Sequence, residues 1–525
     1  MSKKIQKSRQ LSQLKLFALS LLAGGCLAVP FLYYKLGWVS LVALLPFLYM
    51  LSQFDRHQLG RRSQVGYIWL SGWVMLLGTT HWLLQTQPER WATLSGWWAI
   101  SGLVLTYILF SLILSTGFVL LGVLYVLLRL DLRQKRIFGL LPAIWVLSEW
   151  ARSWIFSIIS LGPNTTVGPH WNFGDLGFAA SVTPLVFLGR WGGLYALSFA
   201  VVLINLSFFW LLRRRWKLPL VVLTAIVLLS SAGYLVYSSA NGKSVRTAAL
   251  QLGNNESLDI GAIDFHQKLG SLAAPKSIDV LVLSEYSDVF NDQSKPSDTQ
   301  TMQAILQDNN VPIITSRQRS DSGHMYNTVT VYRSDGSIAY DHDKQFLVPV
   351  GEAMPYAYIY LFRLLGQGQA IDANQSGREI SRGSEPAQAY RLDGLRLGSM
   401  ACSGAISPEL YRNLVVGGAQ ILTNSASLSI FIKAPSYHEQ AQQMARFMAV
   451  ANARPFVQAT DGSYSFVIDH NGRWLQKSGQ KDLQLLQQTV TTNTRRTVYS
   501  LLGEWVVVAS AMLVAGQIVA LYRKR

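Results

Sequence analysis

Apolar residues are not spread evenly along this chain. They gather in long runs at residues 14–34, 36–53, 65–86, 97–128, 137–158, 184–212 and 218–238, and again at 498–521. Most of these runs reach the roughly 20 residues a helix needs to cross a ~30 Å hydrocarbon core, the second being short and the fourth long. The pattern predicts seven membrane spans, a long polar region at 240–497, and an eighth span that closes the chain. Inside 240–497 the texture changes. Short β-type runs recur at 245–252, 278–283, 311–315, 327–332, 395–401, 419–423, 456–460 and 464–468, with helical stretches such as 297–308, 408–416 and 437–452 between them. Alternation of this kind predicts an α/β domain with layered sheets. The stretch 366–385, rich in Gly, Gln, Ser and Asn, reads as an exposed loop.

Composition supports the membrane assignment. Half of the 525 residues are hydrophobic and only 14% are charged, a profile suited to an integral membrane protein. The formal charge of +17 does not mark a nucleic-acid surface, because the excess sits beside the apolar runs. Arg56, Arg61 and Arg62 follow the second run, and Arg129, Arg133, Lys135 and Arg136 follow the fourth. Arg213, Arg214, Arg215 and Lys217 follow the sixth, and Arg523, Lys524 and Arg525 end the chain. All share the side of the basic start, MSKKIQKSRQ, so the positive-inside rule makes that side cytoplasmic and carries 240–497 to the outer face. The first run is not read as a cleaved signal, since further runs follow at once and no small-residue cleavage site appears. Domains of 1–239, 240–497 and 498–525 follow. Glu149 and Arg152, inside the fifth run, are expected to pair with each other rather than stand alone. The tryptophans Trp69, Trp73, Trp97 and Trp98 read as interfacial or packing residues.

Only two cysteines occur. Cys26 lies in an apolar run, so no disulfide with Cys402 is expected and there is no framework to read. Cys402 ends the run 395–401 just before a Ser/Gly/Ser/Pro turn and the 408–416 helix. A nucleophile there is exposed at a sheet edge, and a helix N-terminus would lower its thiol pKa. Two more reactive side chains end apolar strands: Glu285 closes IDVLVLSE, and Lys344 stands in YDHDKQFLVPVGE. A carboxylate can deprotonate a thiol, and an ammonium can stabilise thiolate and oxyanion. Taken singly, each also fits a plainer account: a small buried thiol, or a charge on a solvated loop. No His/Cys cluster has metal-ligand spacing, and His81, His170 and His324 are isolated.

The order Glu285, Lys344, Cys402 resembles the Glu-Lys-Cys triad of the nitrilase, or carbon–nitrogen hydrolase, superfamily. With spans on both sides, the whole chain resembles its membrane branch, the apolipoprotein N-acyltransferase family. Matching stretches are LVPVGEAMPY at 347–356, PAIWVLSEWARSW at 142–154 and QMARFMAVANARPFVQATDGSYSFVIDHNGR at 443–473. The last is partial, with Met448 and Ala451 where the family usually has Arg and Glu. Other departures are Cys402-Ser403-Gly404 in place of Cys-Tyr-Glu, Asn424 to Ser429 in place of Asn-Asp-x-Trp-Phe-Gly, and no tryptophan within 251–267.

The resemblance implies an αββα nitrilase-like domain on about eight spans, in a bacterial inner membrane, with both termini cytoplasmic and the catalytic domain on the periplasmic face. It implies attack of Cys402 on a phospholipid ester, leaving an acyl-enzyme, and transfer of the chain to the free amine of a diacylglyceryl-cysteine on an apolipoprotein. Glu285 would be general base and later acid, Lys344 would hold the oxyanion, and Glu352 would orient Lys344 or the thiol. Neither cofactor nor metal is implied, and a monomer suffices. Two other readings stand beside it: a membrane-tethered amidase or acyltransferase for another amine, and a non-catalytic scaffold.

Overall fold

The computed structural model describes residues 3–87, 96–251, 278–287, 310–377, 379–480 and 484–523, with side chains from 13 onward. The expected helix at 297–308 lies outside them. The first part of the chain forms α1 (Lys3–Ala28), α2 (Leu45–Gln53), α3 (Arg61–Thr79), α4 (Gly96–Leu127), α5 (Ile137–Ile159), α6 (Leu176–Ala180), α7 (Gly189–Leu212) and α8 (Lys217–Val236). Six helical stretches among the described residues are long and apolar enough to cross a bilayer: Gln13–Phe31, Tyr34–Gln53, Gly96–Leu127, Pro184–Leu212, Lys217–Val236 and Trp505–Tyr522. The other two expected spans are helical, as α3 and α5, but more polar. In α5 the cause is Glu149 and Arg152, both buried. Each is shielded by apolar neighbours, α3 by α1 and α4, and α5 by α4 and α7.

The expected Glu149–Arg152 pair does not form. Arg152 pairs with Asp175, while Glu149 Oε1 accepts from Trp145 Nε1 and from the Leu176 N–H, both at 2.9 Å. Asp175 and Leu176 return from the loop that follows α5, so tertiary contact replaces the neighbour one turn away. Trp69 and Trp73 prove to be packing residues: stacked 5.6 Å apart, they donate to Ser115 and Ser111 of α4. Trp97 and Trp98 stay exposed.

The polar region builds two six-stranded sheets. The strands are β1 (Ser244–Gln251), β2 (Val280–Val282), β3 (Ile313–Asp321), β4 (His324–Tyr332), β5 (Ile338–Asp343), β6 (Tyr390–Leu392), β7 (Leu395–Ala401), β8 (Ile421–Ser427), β9 (Phe456–Asp461), β10 (Phe466–Ile468), β11 (Trp474–Lys477) and β12 (Gln484–Thr491). Their orders are β12-β1-β2-β3-β4-β5 and β11-β10-β9-β8-β7-β6. Each sheet has a parallel centre, β1-β2-β3 and β7-β8-β9, with antiparallel strands outside it. Both faces of the centres are covered, so β2 is buried throughout and so is all of β8 but its last residue, even though β8 carries Thr423, Asn424 and Ser425. Val245, Val282, Ile314 and Val331 of one sheet meet Leu397, Ile421, Val457 and Val467 of the other in the core between them.

Helices α9 (Tyr356–Leu364), α10 (Gly368–Gly377), α11 (Pro408–Val416) and α12 (Pro435–Ala451) complete the domain, and α13 (Val498–Leu502) leads into α14 (Trp505–Tyr522). α10 corrects the expected loop at 366–385. Its composition is a poor helix former, but Ile371 and Asn374 are buried, and packing overrides propensity. α12 lies across the ends of the bundle. Gln440 Nε2 donates to Phe31 O and Thr79 O at 3.1 and 2.8 Å, and Gln443 Nε2 to Pro30 O at 2.9 Å.

Candidate active site

Parallel strands end together, and the sequence puts its reactive side chains there. Glu285 lies three residues beyond β2, Lys344 directly after β5, and Cys402 directly after β7. The two sheets face each other, so these ends converge. The Glu285 N–H donates to Ala426 O of β8 at 3.4 Å, and the Lys344 N–H to Asn327 O of β4 at 2.7 Å. Ser403 Oγ donates to Phe346 O at 2.6 Å, which ties the nucleophile turn to the Lys344 loop. Cys402 itself takes φ +42°, a left-handed conformation that a non-glycine residue keeps only when its surroundings impose it.

Glu285, Lys344, Glu352 and Cys402 are brought together. Lys344 Nζ donates to Glu352 Oε1 at 2.8 Å and lies 3.5 Å from Glu285 Oε1. Glu352 Oε2 accepts the Val348 N–H at 2.8 Å, closing its own loop beneath the lysine. Glu285 Oε2 accepts the Ser427 N–H at 3.0 Å, and Cys402 Sγ lies 3.6 Å from Ser427 O. Ser427 is therefore the shared neighbour of thiol and carboxylate. Asn327, fully buried, donates to Glu285 Oε1 at 2.7 Å and to the Tyr286 hydroxyl at 3.1 Å.

The electrostatics follow from burial. Glu285 and Lys344 are 5% and 3% exposed, whereas Cys402 is partly accessible. Burial raises the Glu285 carboxyl above the usual range; Lys344 pulls it down and Glu352 pushes it up again. Burial works against charge on Lys344, but Glu352 and Glu285 outweigh it and hold the ammonium protonated. The Cys402 thiol is pushed well up, first by burial and then by Glu285, against the pull of Lys344. That overturns the expected lowering by a helix N-terminus. The residue opens a short 3-10 turn, Cys402–Ile406, and α11 begins only at Pro408, while the dipole effect is confined to the first turn.

At rest Cys402 is therefore a thiol and not a preformed thiolate. A nucleophile of this kind is unmasked as it attacks, its proton passing to a base whose raised pKa suits it to receive one. Tyr437, at the start of α12, stands in the field of Cys402, Lys344 and Glu285. Its ring stacks on Phe431 at 4.0 Å and meets Trp82 at 4.7 Å. Asn327, Tyr286, Ser427 and Tyr437 carried no signal in the sequence beyond a polar or aromatic residue near a strand or helix end. Among the described residues no group of His, Cys, Asp and Glu could hold a metal ion.

Comparisons with known proteins agree in both halves of the chain. A family model described as carbon-nitrogen hydrolase matches residues 246–499, and one described as apolipoprotein N-acyltransferase N-terminal domain matches residues 23–207. An apolipoprotein N-acyltransferase of Shewanella oneidensis is 25% identical over 416 residues, covering 72% of this chain and 73% of the relative. One of Geobacter metallireducens is 23% identical over 531 residues, covering 95% and 94%. Among solved structures, a carbon-nitrogen hydrolase from Helicobacter pylori G27 is similar at 19% identity, covering 50% of this chain and 94% of that one, with a TM-score of 0.35.

Proposed function

The chain belongs to the nitrilase, or carbon–nitrogen hydrolase, superfamily, and from that membership we propose that it is a membrane acyltransferase that N-acylates lipoproteins through a thioester on Cys402. The observation that carries the reading is a partly accessible thiol sharing Ser427 with a buried carboxylate, which in turn lies 3.5 Å from a buried ammonium. Relatives named apolipoprotein N-acyltransferase supply the substrate class.

In the first step Cys402 Sγ attacks the acyl carbon of a phospholipid ester as Glu285 takes the thiol proton. Lys344 stabilises the oxyanion, and the tetrahedral adduct collapses. The lysophospholipid alkoxide leaves with the proton from Glu285. In the second step the α-amine of a diacylglyceryl-cysteine attacks the thioester, Glu285 takes a proton from it, and the thiol is restored. Glu352 keeps Lys344 in place throughout. Residues 1–239 form the membrane domain, 240–497 the catalytic domain on the outer face, and 498–525 the closing helix and a cytoplasmic tail. The positive-inside pattern supports that orientation. A site held against the bilayer lets both lipid substrates enter from the side.

Intact-mass spectrometry of the full chain in detergent with phospholipid tests the reading. An added fatty acyl mass, absent from Cys402→Ala and released by hydroxylamine, is expected. The acyl-enzyme should then discharge onto a diacylglyceryl lipopeptide with a free α-amine and not onto its N-acetylated form. No adduct under any phospholipid and detergent would refute the thioester. Discharge onto small amines and water but not the lipopeptide would favour the tethered amidase.

A further inference from the structure

Tyr286 directly follows the proposed base and takes φ +62°, a conformation that is strained for a bulky residue and survives only where neighbours impose it. The neighbours do. The Tyr286 N–H donates to Ser316 Oγ at 3.2 Å, and Thr315 Oγ1 bonds Ser284 O and Ser287 O on either side, both at 3.1 Å. Strand β3 thus fixes the turn that aims this side chain.

The phenol is also prepared to donate. Its oxygen accepts an N–H from Asn327 at 3.1 Å, while the same amide donates to Glu285 Oε1 at 2.7 Å. Asn327 cannot turn over, because a flipped amide would set its oxygen against the Glu285 carboxylate. The Tyr286 oxygen has its donor, and its own proton has no acceptor among the described residues. Tyr286 and Cys402 are both only partly buried, unlike Glu285 and Lys344. Meanwhile Lys344 has spent two of its three N–H groups, on Glu352 at 2.8 Å and toward Glu285 at 3.5 Å. One N–H remains for an oxyanion that is best held by more than one donor.

We propose that Tyr286 is a further catalytic residue, whose phenolic O–H donates a hydrogen bond to the acyl carbonyl oxygen as Cys402 attacks and shares the oxyanion with Lys344 Nζ. The assignment rests on the thioester reading above. The Cys402 S–C bond forms as the C=O π pair moves onto oxygen, and the thiol proton goes to Glu285. Collapse returns the pair and expels the alkoxide, which takes the proton from Glu285. Tyr286 keeps its proton throughout, consistent with a phenol that burial, Glu285 and Glu352 all hold well above its usual range.

The test is single-turnover acylation of Cys402 in the full chain, read by intact mass with phospholipid. Tyr286→Phe keeps the ring and removes the donor. Its acylation rate constant is expected to fall about 10²–10³-fold, the loss typical of one oxyanion donor, with half-saturating phospholipid and melting temperature unchanged. Replacing Tyr286 with 3,5-difluorotyrosine should restore acylation and bring the alkaline limb of its pH profile to lower pH, because a more acidic phenol loses its donor proton sooner. Acylation at the wild-type rate by Tyr286→Phe, or an alkaline limb unmoved by fluorination, would overturn the proposal and leave the thioester reading standing. A wild type that forms no adduct would sink both.

Discussion

Glu352 gives the sharpest test of how the charged site works. It transfers no proton in the proposed mechanism; it shares Lys344 with the base. Its Oε1 accepts from Lys344 Nζ at 2.8 Å and its Oε2 from the Val348 N–H at 2.8 Å. In Glu352→Gln one of those positions becomes an NH₂ that cannot accept. If the amide oxygen stays with Lys344, the NH₂ confronts the Val348 N–H; if it turns, it confronts the ammonium. Either way a charge-assisted bond is lost or badly weakened, a loss of roughly 1.5–3 kcal/mol. Lys344 is then free to close on Glu285, away from the oxyanion. If the whole loss falls on the transition state, acylation slows by about 10–150-fold.

The pH dependence has a definite sign. Burial holds the Glu285 carboxyl up, Lys344 pulls it down, and Glu352 pushes it up. Neutralising Glu352 removes the push and leaves the pull of Lys344 undivided, so the Glu285 pKa falls. Acylation needs Glu285 ionised to receive the thiol proton, so the acid limb of the rate profile should move to lower pH as the maximum rate drops. Quenched single-turnover mass spectrometry across a pH series measures both, with thermal melting to show that the fold survives. A limb that stays or moves upward would refute the shared-cation account. So would a loss as complete as that of Cys402→Ala, which would make Glu352 a participant in the chemistry.

Two further outcomes follow from burial. Because burial and Glu285 hold the Cys402 thiol well up, iodoacetamide should label it at neutral pH more slowly than a free cysteine, with the rate still climbing above the ordinary thiol range; labelling as fast as free cysteine would mean a preformed thiolate. Arg190, fully buried, donates to Gly233 O, Val450 O, His470 O and Asn471 Oδ1 at 2.7–3.1 Å. Arg190→Met strands these acceptors at about 1–3 kcal/mol each and should lower the melting temperature in detergent and speed proteolysis of the two-sheet domain, whereas an unchanged melt would show that water replaces the guanidinium.

The elements legible in the sequence were those that local pattern alone specifies. Apolar runs of membrane length stand out from any other texture, and the short β-type runs bounded by turn residues correspond to most of the strands of both sheets. Glu285 and Cys402 stand out as candidates because each follows an apolar run, whereas Lys344 follows β5, whose end Asp341-His342-Asp343 is polar. What escaped depends on contacts between distant segments. Asn327 meets Glu285 across 42 positions, and nothing near Asn327 distinguishes it from a polar strand edge. The partner of Arg152 lies 23 positions away, so the nearer Glu149 looked sufficient. The thiol pKa was misread for a similar reason: a helix start is visible in sequence, but the burial that outweighs it is a property of the packed site.

Packing also ties the apolar helices to the candidate site. The last carbonyls of a helix have no partner within it. At the ends of α1 and α3 those of Thr79 and the adjoining Pro30 and Phe31 are taken by Gln440 and Gln443. Tyr437 lies one turn before Gln440 on the same helix, in contact with Trp82 just beyond α3 and in the field of Cys402. The buried amides that hold the ends of α1 and α3 and the aromatic wall of the site are thus carried by one helix, α12. Glutamine suits the task, since a charged donor would meet a large desolvation penalty there and an apolar residue would strand the carbonyls. The two-sheet domain of this chain is therefore seated on its helical bundle by polar bonds that fix one geometry, and the aromatic wall beside Cys402 is built against that bundle.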